Sequence, residues 1–281
     1  MRLLIGFDGS DGGRDALELA RVLGSATGAD ALVVAVLLSG PLPLSYALLD
    51  SEEASEARPL FKEARERLAG VEVETRAFGG GTPAGLLTTL GEEEEVDAIV
   101  VGSPHRGPVG RALLGSVAES LLSGSSQAVV VAPRGYSAQR HGPFQLIAVA
   151  YDGTLESKAA LRRAEALARP MHAKIRIVTV VAPAVALPGV IGYTPPDPPN
   201  PEKLMNEAIR SIDPQLTVDS RLLDGPPAMR LAEACEDGVD LIVAGSRGYG
   251  PLLRVLIGSV SGQLIRKAPC PVLVVPRPGQ T

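Results

Sequence analysis

Glycine and serine recur at fixed spacing in the segment GSRGYGPLLRVLIGSV, residues 245–260, which directly follows an apolar run. The start of a helix that follows a strand offers free backbone N–H groups and a partial positive charge, both of which attract phosphate. Gly245 and Gly248 would let the loop curl its N–H groups inward around an anion. Gly258 would let the helix start approach a phosphate closely, and Ser259 would add a hydroxyl donor. The chemistry that this spacing predicts is phosphate binding.

A Gly-Ser pair alone is equally an ordinary helix N-cap. Here two further glycines accompany it, and Asp152 follows an apolar run of the same half of the chain. An aspartate across a crevice from a phosphate suits the hydroxyls of a ribose or a donor group of a nucleobase. The combination therefore favours a nucleotide site over a simple cap.

Other common sites are excluded by the sequence. It contains no GxxxxGK[ST] motif, and no GxGxxG follows the first apolar run of either half, so neither a P-loop nor a dinucleotide fingerprint is present. The histidines His105, His141 and His172 are isolated, which argues against a zinc site. The cysteines Cys235 and Cys270 are expected to be reduced packing residues.

The chain repeats itself, so the elements that position these residues occur twice. A looser version of the glycine segment, GSPHRGPVGRALLGSV, occupies residues 102–117. VDAIVVGS at 96–103 recurs as VDLIVAGS at 239–246, and LLIGFDGS at 3–10 recurs as IAVAYDGT at 147–154. Such self-similarity predicts two homologous domains.

Each half alternates short continuous apolar runs with helical patterns, which is typical of a parallel sheet covered on both faces. We therefore predict an α/β fold: two tandem doubly wound domains, each with a five-stranded parallel sheet in the order 3-2-1-4-5. The domains are expected to span residues 1–136 and 144–281, with the boundary in the polar segment 135–143. In such a sheet ligands bind at the carboxyl ends of the strands, where the strand order reverses.

Composition narrows the function classes. The 281 residues are 45% hydrophobic and 21% charged, as in ordinary globular proteins, and aromatic residues make up only 3%. The net charge of −5 and the lack of Trp argue against nucleic acid as a partner. No apolar stretch reaches membrane-spanning length and no signal peptide is evident, so no membrane partner and a cytoplasmic location are expected.

The spacing Gly245-x2-Gly248-x9-Gly258-Ser259 resembles the nucleotide motif G-x2-G-x9-G-[ST] of the universal stress protein family. The strand-one aspartate, the GPPA turn, the VDLIVAGSRG strand and the terminal APCPVLVVPR also resemble that family. The resemblance covers nearly the whole chain as two tandem copies. It implies a fold like that of the adenine nucleotide alpha hydrolases.

The resemblance also implies binding of adenine nucleotide, ATP or AMP, with Mg²⁺ or Mn²⁺ near the phosphates. In each copy it places the aspartate that follows the first strand at the adenosine, and the valine at the end of the second strand at the edge of the adenine. The glycines, the serine and the valine after it would surround the phosphates. In the second copy these residues are Asp152, Val180, Gly245, Gly248, Gly258, Ser259 and Val260. In the first copy the matching residues are Asp8, Val36, Gly102, Gly115, Ser116 and Val117.

The first copy departs from the motif at its second glycine, where His105 follows Pro104. A histidine Cβ restricts the backbone conformations that glycine permits, and proline removes an N–H donor. His105 and Arg106 could instead contact phosphate through their side chains. We expect weakened or absent binding in the first copy and the better site in the second.

Three functions are compatible with this pattern. The first is a stress-response module that binds adenine nucleotide, chiefly through domain 2, and is regulated by it. The second is a slow ATP hydrolase, although no convincing water-activating residue is visible. The third is a scaffold that binds no nucleotide.

The resemblance implies pairing through the fifth strands, and the two halves could pair with each other in this way. The edges involved would be residues 129–133 and 273–277, since unpaired apolar edges are a liability. A further homodimer is plausible. The proline-rich loop 183–201 is either a solvated spacer or a flap over the site.

Overall fold

The structure is a computed structural model of the chain. The residues that it describes are 1–37, 46–50, 52–103, 115–181, 200–246 and 259–277. Within them, no helix combines the length and the apolar character needed to cross a bilayer.

In its described residues the first half contains six strands, four α-helices and a short 3₁₀ helix at Glu53–Ala57. Their order along the chain is β1 Arg2–Gly6, α1 Asp11–Thr27, β2 Asp30–Leu37, β3 Ala47–Leu48, α2 Arg58–Arg67, β4 Val73–Gly79, α3 Pro83–Glu93, β5 Ala98–Gly102, α4 Ser116–Gly124 and β6 Ala128–Ala132.

Within the described residues the second half repeats this order with five strands and four α-helices, after a 3₁₀ turn at Tyr136–Ala138. The elements are β7 Leu146–Ala150, α5 Leu155–Met171, β8 Lys174–Val181, α6 Pro201–Ser211, β9 Val218–Asp224, α7 Pro227–Cys235, β10 Leu241–Gly245, α8 Ser259–Lys267 and β11 Val272–Val275.

All the strands join one sheet in the order β3-β4-β2-β1-β5-β6-β11-β10-β7-β8-β9. The five principal strands of each half follow the predicted order 3-2-1-4-5 and run parallel, which confirms the predicted fold class. The two-residue strand β3 was not predicted. It pairs antiparallel with β4 at the outer edge of the first half.

The two halves meet where β6 pairs antiparallel with β11. Val130 lies opposite Leu273 at the centre of this seam. A second connection joins Arg163 of α5 to Asp97, which precedes β5: the Arg163 Nη1 donates to Asp97 Oδ1 at 3.3 Å. β6 and β11 run antiparallel to each other. The parallel strands of the first half therefore have their carboxyl ends on one side of the molecule, and those of the second half have theirs on the opposite side.

Alternate residues of the strands enter two apolar layers, one on each face of the sheet. Leu3 and Ile5 of β1 pack with α1, whereas Leu4 packs on the opposite face with α3 and α4. Each layer includes strand residues of both halves, so the core continues across the seam. Both cysteines, Cys235 and Cys270, are buried in the layer that contains Leu4.

The segment after β6 folds back onto α1. The Asp15 carboxylate, which is 1% exposed, accepts the backbone N–H groups of Gly135 and Ser137 at 2.8 and 2.7 Å. The Glu18 carboxylate accepts the His141 N–H at 2.9 Å. These bonds fix the segment in which the domain boundary was predicted. The boundaries themselves, 1–136 and 144–281, stay a prediction.

Candidate functional site

A cavity of about 370 Å³ lies at the carboxyl ends of β1 and β5, where the strand order of the first half reverses. Parallel strands end at the same edge of a sheet, so the sequence motifs that follow them are brought together there. All six residues predicted for the first copy line this one cavity: Asp8, Val36, Gly102, Gly115, Ser116 and Val117.

The N-terminus of α4 faces this cavity. Gly115 is the N-cap, with extended backbone at φ −65° and ψ 147°, and no side chain caps the helix. The first N–H groups of an α-helix have no partner within the helix, and the helix dipole adds a partial positive charge there. This end of the cavity is therefore suited to an anion such as phosphate.

Asp8 also lines the cavity, two residues after the end of β1. Its Oδ1 accepts the Ser10 N–H at 3.0 Å, and the Ser10 hydroxyl in turn accepts the Gly13 N–H as the N-cap of α1. The side chain is exposed, so its carboxylate can accept further donors such as ribose hydroxyls. Asp8 thus shapes the turn from strand to helix and presents an acceptor to the cavity.

Gly102, at the end of β5, has a packing role that the sequence analysis did not assign. A Cβ on Gly102 would lie 1.8 Å from the Gly12 carbonyl oxygen, far closer than any real contact. Gly245 has the same role in the second half, where its Cβ would lie 2.6 Å from the Glu156 Cβ. Both glycines let the first helix of their half pack directly on the end of the fourth strand.

The matching cavity of the second half is smaller, at about 80 Å³. Asp152, Val180, Gly245 and Val260 line it, and Ser259 is the first residue of α8. The Asp152 Oδ1 accepts the Thr154 N–H at 3.2 Å, as Asp8 does with Ser10 in the first half.

The remaining sequence predictions lie outside the described residues. These are Gly248 and Gly258 of the second copy, His105 of the first, and residues 183–199 of the proline-rich loop.

The two cavities differ at positions that sequence reasoning missed. At several matching places the second copy carries a larger or more polar residue than the first. The pairs, first copy before second, are Gly6 and Ala150, Phe7 and Tyr151, Gly12 and Glu156, Gly13 and Ser157, and Ala118 and Ser261. The internal repeat carried the signal, because aligning the two copies residue by residue would have revealed each pair.

Glu156 is the largest of these differences. It belongs to the first turn of α5, and its side chain is only 14% exposed. Its Oε1 lies 3.3 Å from the Nε of Arg277, which follows β11. The first half has glycine at this position, so the same part of its cavity is open.

Tyr151 lies beside Asp152 in the second cavity. Burial, followed by the negative charges of Glu207 and Asp152, raises the pKa of its hydroxyl. The phenol therefore stays protonated near neutral pH and can donate a hydrogen bond. The first half has Phe7 here, which cannot.

A metal site built from protein ligands alone is not present in the part of the chain that the structure describes. No group of three or more His, Cys, Asp or Glu side chains in it could hold an ion.

Comparison with known proteins places these features in context. The model of the universal stress protein family matches residues 1–133 and 143–276, so both halves match separately. The universal stress protein Rv2319c of Mycobacterium tuberculosis is 29% identical over 98% of this chain and 100% of its own length. A universal stress protein of Thermus aquaticus is 34% identical over 47% of this chain and 98% of its own length.

A solved structure shares the whole architecture. The crystal structure of a universal stress protein from Archaeoglobus fulgidus has a TM-score of 0.74 and 24% sequence identity. The match covers 99% of this chain and 98% of the other. At this identity the likeness supports the fold alone.

Proposed function

The chain belongs to the universal stress protein family as a member with two tandem domains, and on this premise we propose that it binds adenine nucleotide as a regulatory module. The ligand proposed is ATP or AMP, with Mg²⁺ or Mn²⁺ at the phosphates. A cytoplasmic role in the stress response and pairing of the two domains as one unit in solution belong to the same proposal.

One observation carries the proposal: the cavity of about 370 Å³ at the strand-order reversal of the first half. Its size lies within the range of small-molecule sites, about 300–1,000 Å³. The uncapped start of α4 would take the phosphates, and Asp8 would accept donors of the ribose or base. The apolar residues Val34 and Val36 would border the adenine ring.

The second domain enters the proposal for a different reason. Its cavity is below that size range, but its sequence carries the complete glycine motif through Gly258 and Ser259. Binding of nucleotide chiefly through domain 2 therefore stays a prediction from the motif. A measurement of nucleotide binding in each domain separately tests that prediction.

Equilibrium dialysis with radiolabelled ATP or AMP tests the proposal, and we expect at least one site per chain. Gly115→Val should weaken binding at the first site, because a branched side chain at the N-cap would cover the free N–H groups of α4. The extended backbone of Gly115 tolerates valine, so the variant should fold. Gly258→Val tests the second site in the same way.

Gly124→Ala, at the opposite end of α4, is the matched control, since a Cβ there meets nothing within 4 Å. It should bind as the parent does. Absence of bound nucleotide in the parent, with and without added Mg²⁺, would contradict the proposed function.

A further inference from the structure

We propose that Glu156 controls access to the second site by keeping its cavity too small for an adenine nucleotide until the side chain turns away. The inference rests on the function proposed above and adds a difference between the two domains. It makes Glu156 a residue that decides which domain accepts ligand.

The first argument is the comparison of the two halves within one molecule. Both cavities are built from the same strand ends and the same helices, yet their volumes are about 370 and 80 Å³. Among the pairs of matching residues that line them, Gly12 and Glu156 differ most in side-chain size. The first half thus shows a cavity of the same architecture in which glycine stands in place of the glutamate.

The second argument is that the backbone at Glu156 packs tightly against the end of the fourth strand and is fixed by a cap. The first turn of α5 packs on the Cα of Gly245 so closely that a Cβ there would lie 2.7 Å from the Glu156 carbonyl carbon. The Thr154 hydroxyl also fixes this turn by accepting the Ser157 N–H at 3.2 Å. With the backbone held in this way, rotation of the Glu156 side chain is the change that we propose enlarges the cavity.

The third argument is the ion pair that holds this side chain. Glu156 pairs with Arg277, whereas at the matching place in the first half Arg134 is exposed and residue 12 is a glycine. An arginine follows the fifth strand of both halves, and among the residues that the structure describes an ion pair to it is seen in the second half, from Glu156. A phosphate-bearing ligand that enters the second cavity meets Glu156 as a like charge, and Arg277 must release that side chain before it can turn away.

Photolabelling of the full chain with radioactive 8-azido-ATP, followed by peptide mapping, measures each domain separately. In the parent we expect the label chiefly on first-domain peptides, which is the opposite of what the glycine motif alone predicts. Glu156→Ala should raise labelling of second-domain peptides by about tenfold or more, with the first domain unchanged. Glu156→Gln keeps the volume of the side chain but loses its charge and the ion pair with Arg277, so it should raise labelling of the second domain by less than alanine does, about threefold or less.

Lys158→Ala, an exposed change in the same helix, is the control and should leave both domains as in the parent. Gly12→Glu should lower labelling of the first domain, and circular dichroism verifies that each variant is folded. The proposal is overturned if Glu156→Ala leaves the second domain at the parent level while the first domain is labelled, or if Glu156→Gln opens the site as alanine does. Absence of label in either domain of every variant would instead count against the proposed function itself.

Discussion

Gly102 and Gly245 each have two roles, one in the packing of the fold and one in the predicted ligand site. Each ends the fourth strand of its half, where the first turn of a helix packs directly on its Cα. The motif spacing alone suggests a loop that curls around phosphate. The structure adds that any side chain here would displace the helix whose N-terminus begins beside Asp8 or Asp152.

We therefore expect Gly102→Ala to destabilise the protein and to distort the first cavity. The new Cβ would lie 1.8 Å from a backbone oxygen, so the helix must shift. Overpacking of this kind costs roughly 1–3 kcal/mol. Urea unfolding measures the loss. Gly124→Ala is the matched control and should be neutral or stabilising by up to about 1 kcal/mol, because it restricts the unfolded chain without a contact.

At this scale the sequence predicted the lining of the first cavity but not the contrast between the cavities. Asp8, Val36 and Gly115 could be placed because they follow strand and helix signals. The pair of Gly12 and Glu156 can be seen when the two copies are aligned, but the first turn of a helix tolerates either residue, so their place in the cavities follows from packing against the fourth strand.

Among the elements, α1 and α5 occupy equivalent positions in the two halves but have different roles. α1 carries the carboxylates Asp15 and Glu18, which bind the segment that connects the two halves. At the matching positions α5 carries Ala159 and Arg162, which cannot accept N–H groups in that way. The connecting segment therefore docks on one helix only, and the helices of the two halves are not interchangeable.

The pH dependence of stability should report the docking of this segment. Burial is the largest influence on the Glu18 carboxyl and raises its pKa, but the hydrogen bonds and charges of Arg21, His141 and Arg140 together outweigh it, so the pKa is lowered. A folded-state pKa below the unfolded value stabilises the protein above the unfolded pKa, about 4.3. That stabilisation is lost as the pH falls through the lower folded value.

The free energy of unfolding should therefore fall more steeply for the parent than for Glu18→Gln between roughly pH 5 and pH 3. At neutral pH the variant should be less stable by about 2 kcal/mol, since it loses charge-assisted hydrogen bonds. Chemical denaturation at a series of pH values measures both. Equal slopes for the two proteins would show that Glu18 contributes no such stabilisation.

Element positions were largely predictable because the central strands, such as β1, β5, β7 and β10, are short apolar runs between helix signals. The short strand β3 was not, since Ala47 and Leu48 are exposed and follow no alternating pattern. Its pairing depends on the neighbouring edge of β4. The proline-rich loop lies almost wholly outside the described residues, so whether it is a spacer or a flap stays open.

In the whole molecule, the seam between β6 and β11 makes one core of two halves. We expect a single cooperative unfolding transition in which both halves take part. Leu273→Ala, at a residue that is 1% exposed and lies opposite Val130, should cost roughly 2–5 kcal/mol. Hydrogen exchange should show lower protection in β1 and β5 of the first half as well as in β7 and β10.

Leu222→Ala, on the edge strand β9, is the control and should cost much less, because Leu222 is 39% exposed. Protection in the first half that is unaffected by Leu273→Ala would indicate two independent units.

The antiparallel seam also determines whether this chain can exchange subunits with other proteins. β6 and β11 have no unpaired edge left, since each lies between two neighbours in the sheet. This chain therefore offers no free fifth-strand edge to another protein of the same fold, and we expect no exchange of subunits at that surface. The two unlike halves are synthesised as one chain, so they are always present in a one-to-one ratio. That ratio does not vary with the cellular concentration of any other protein.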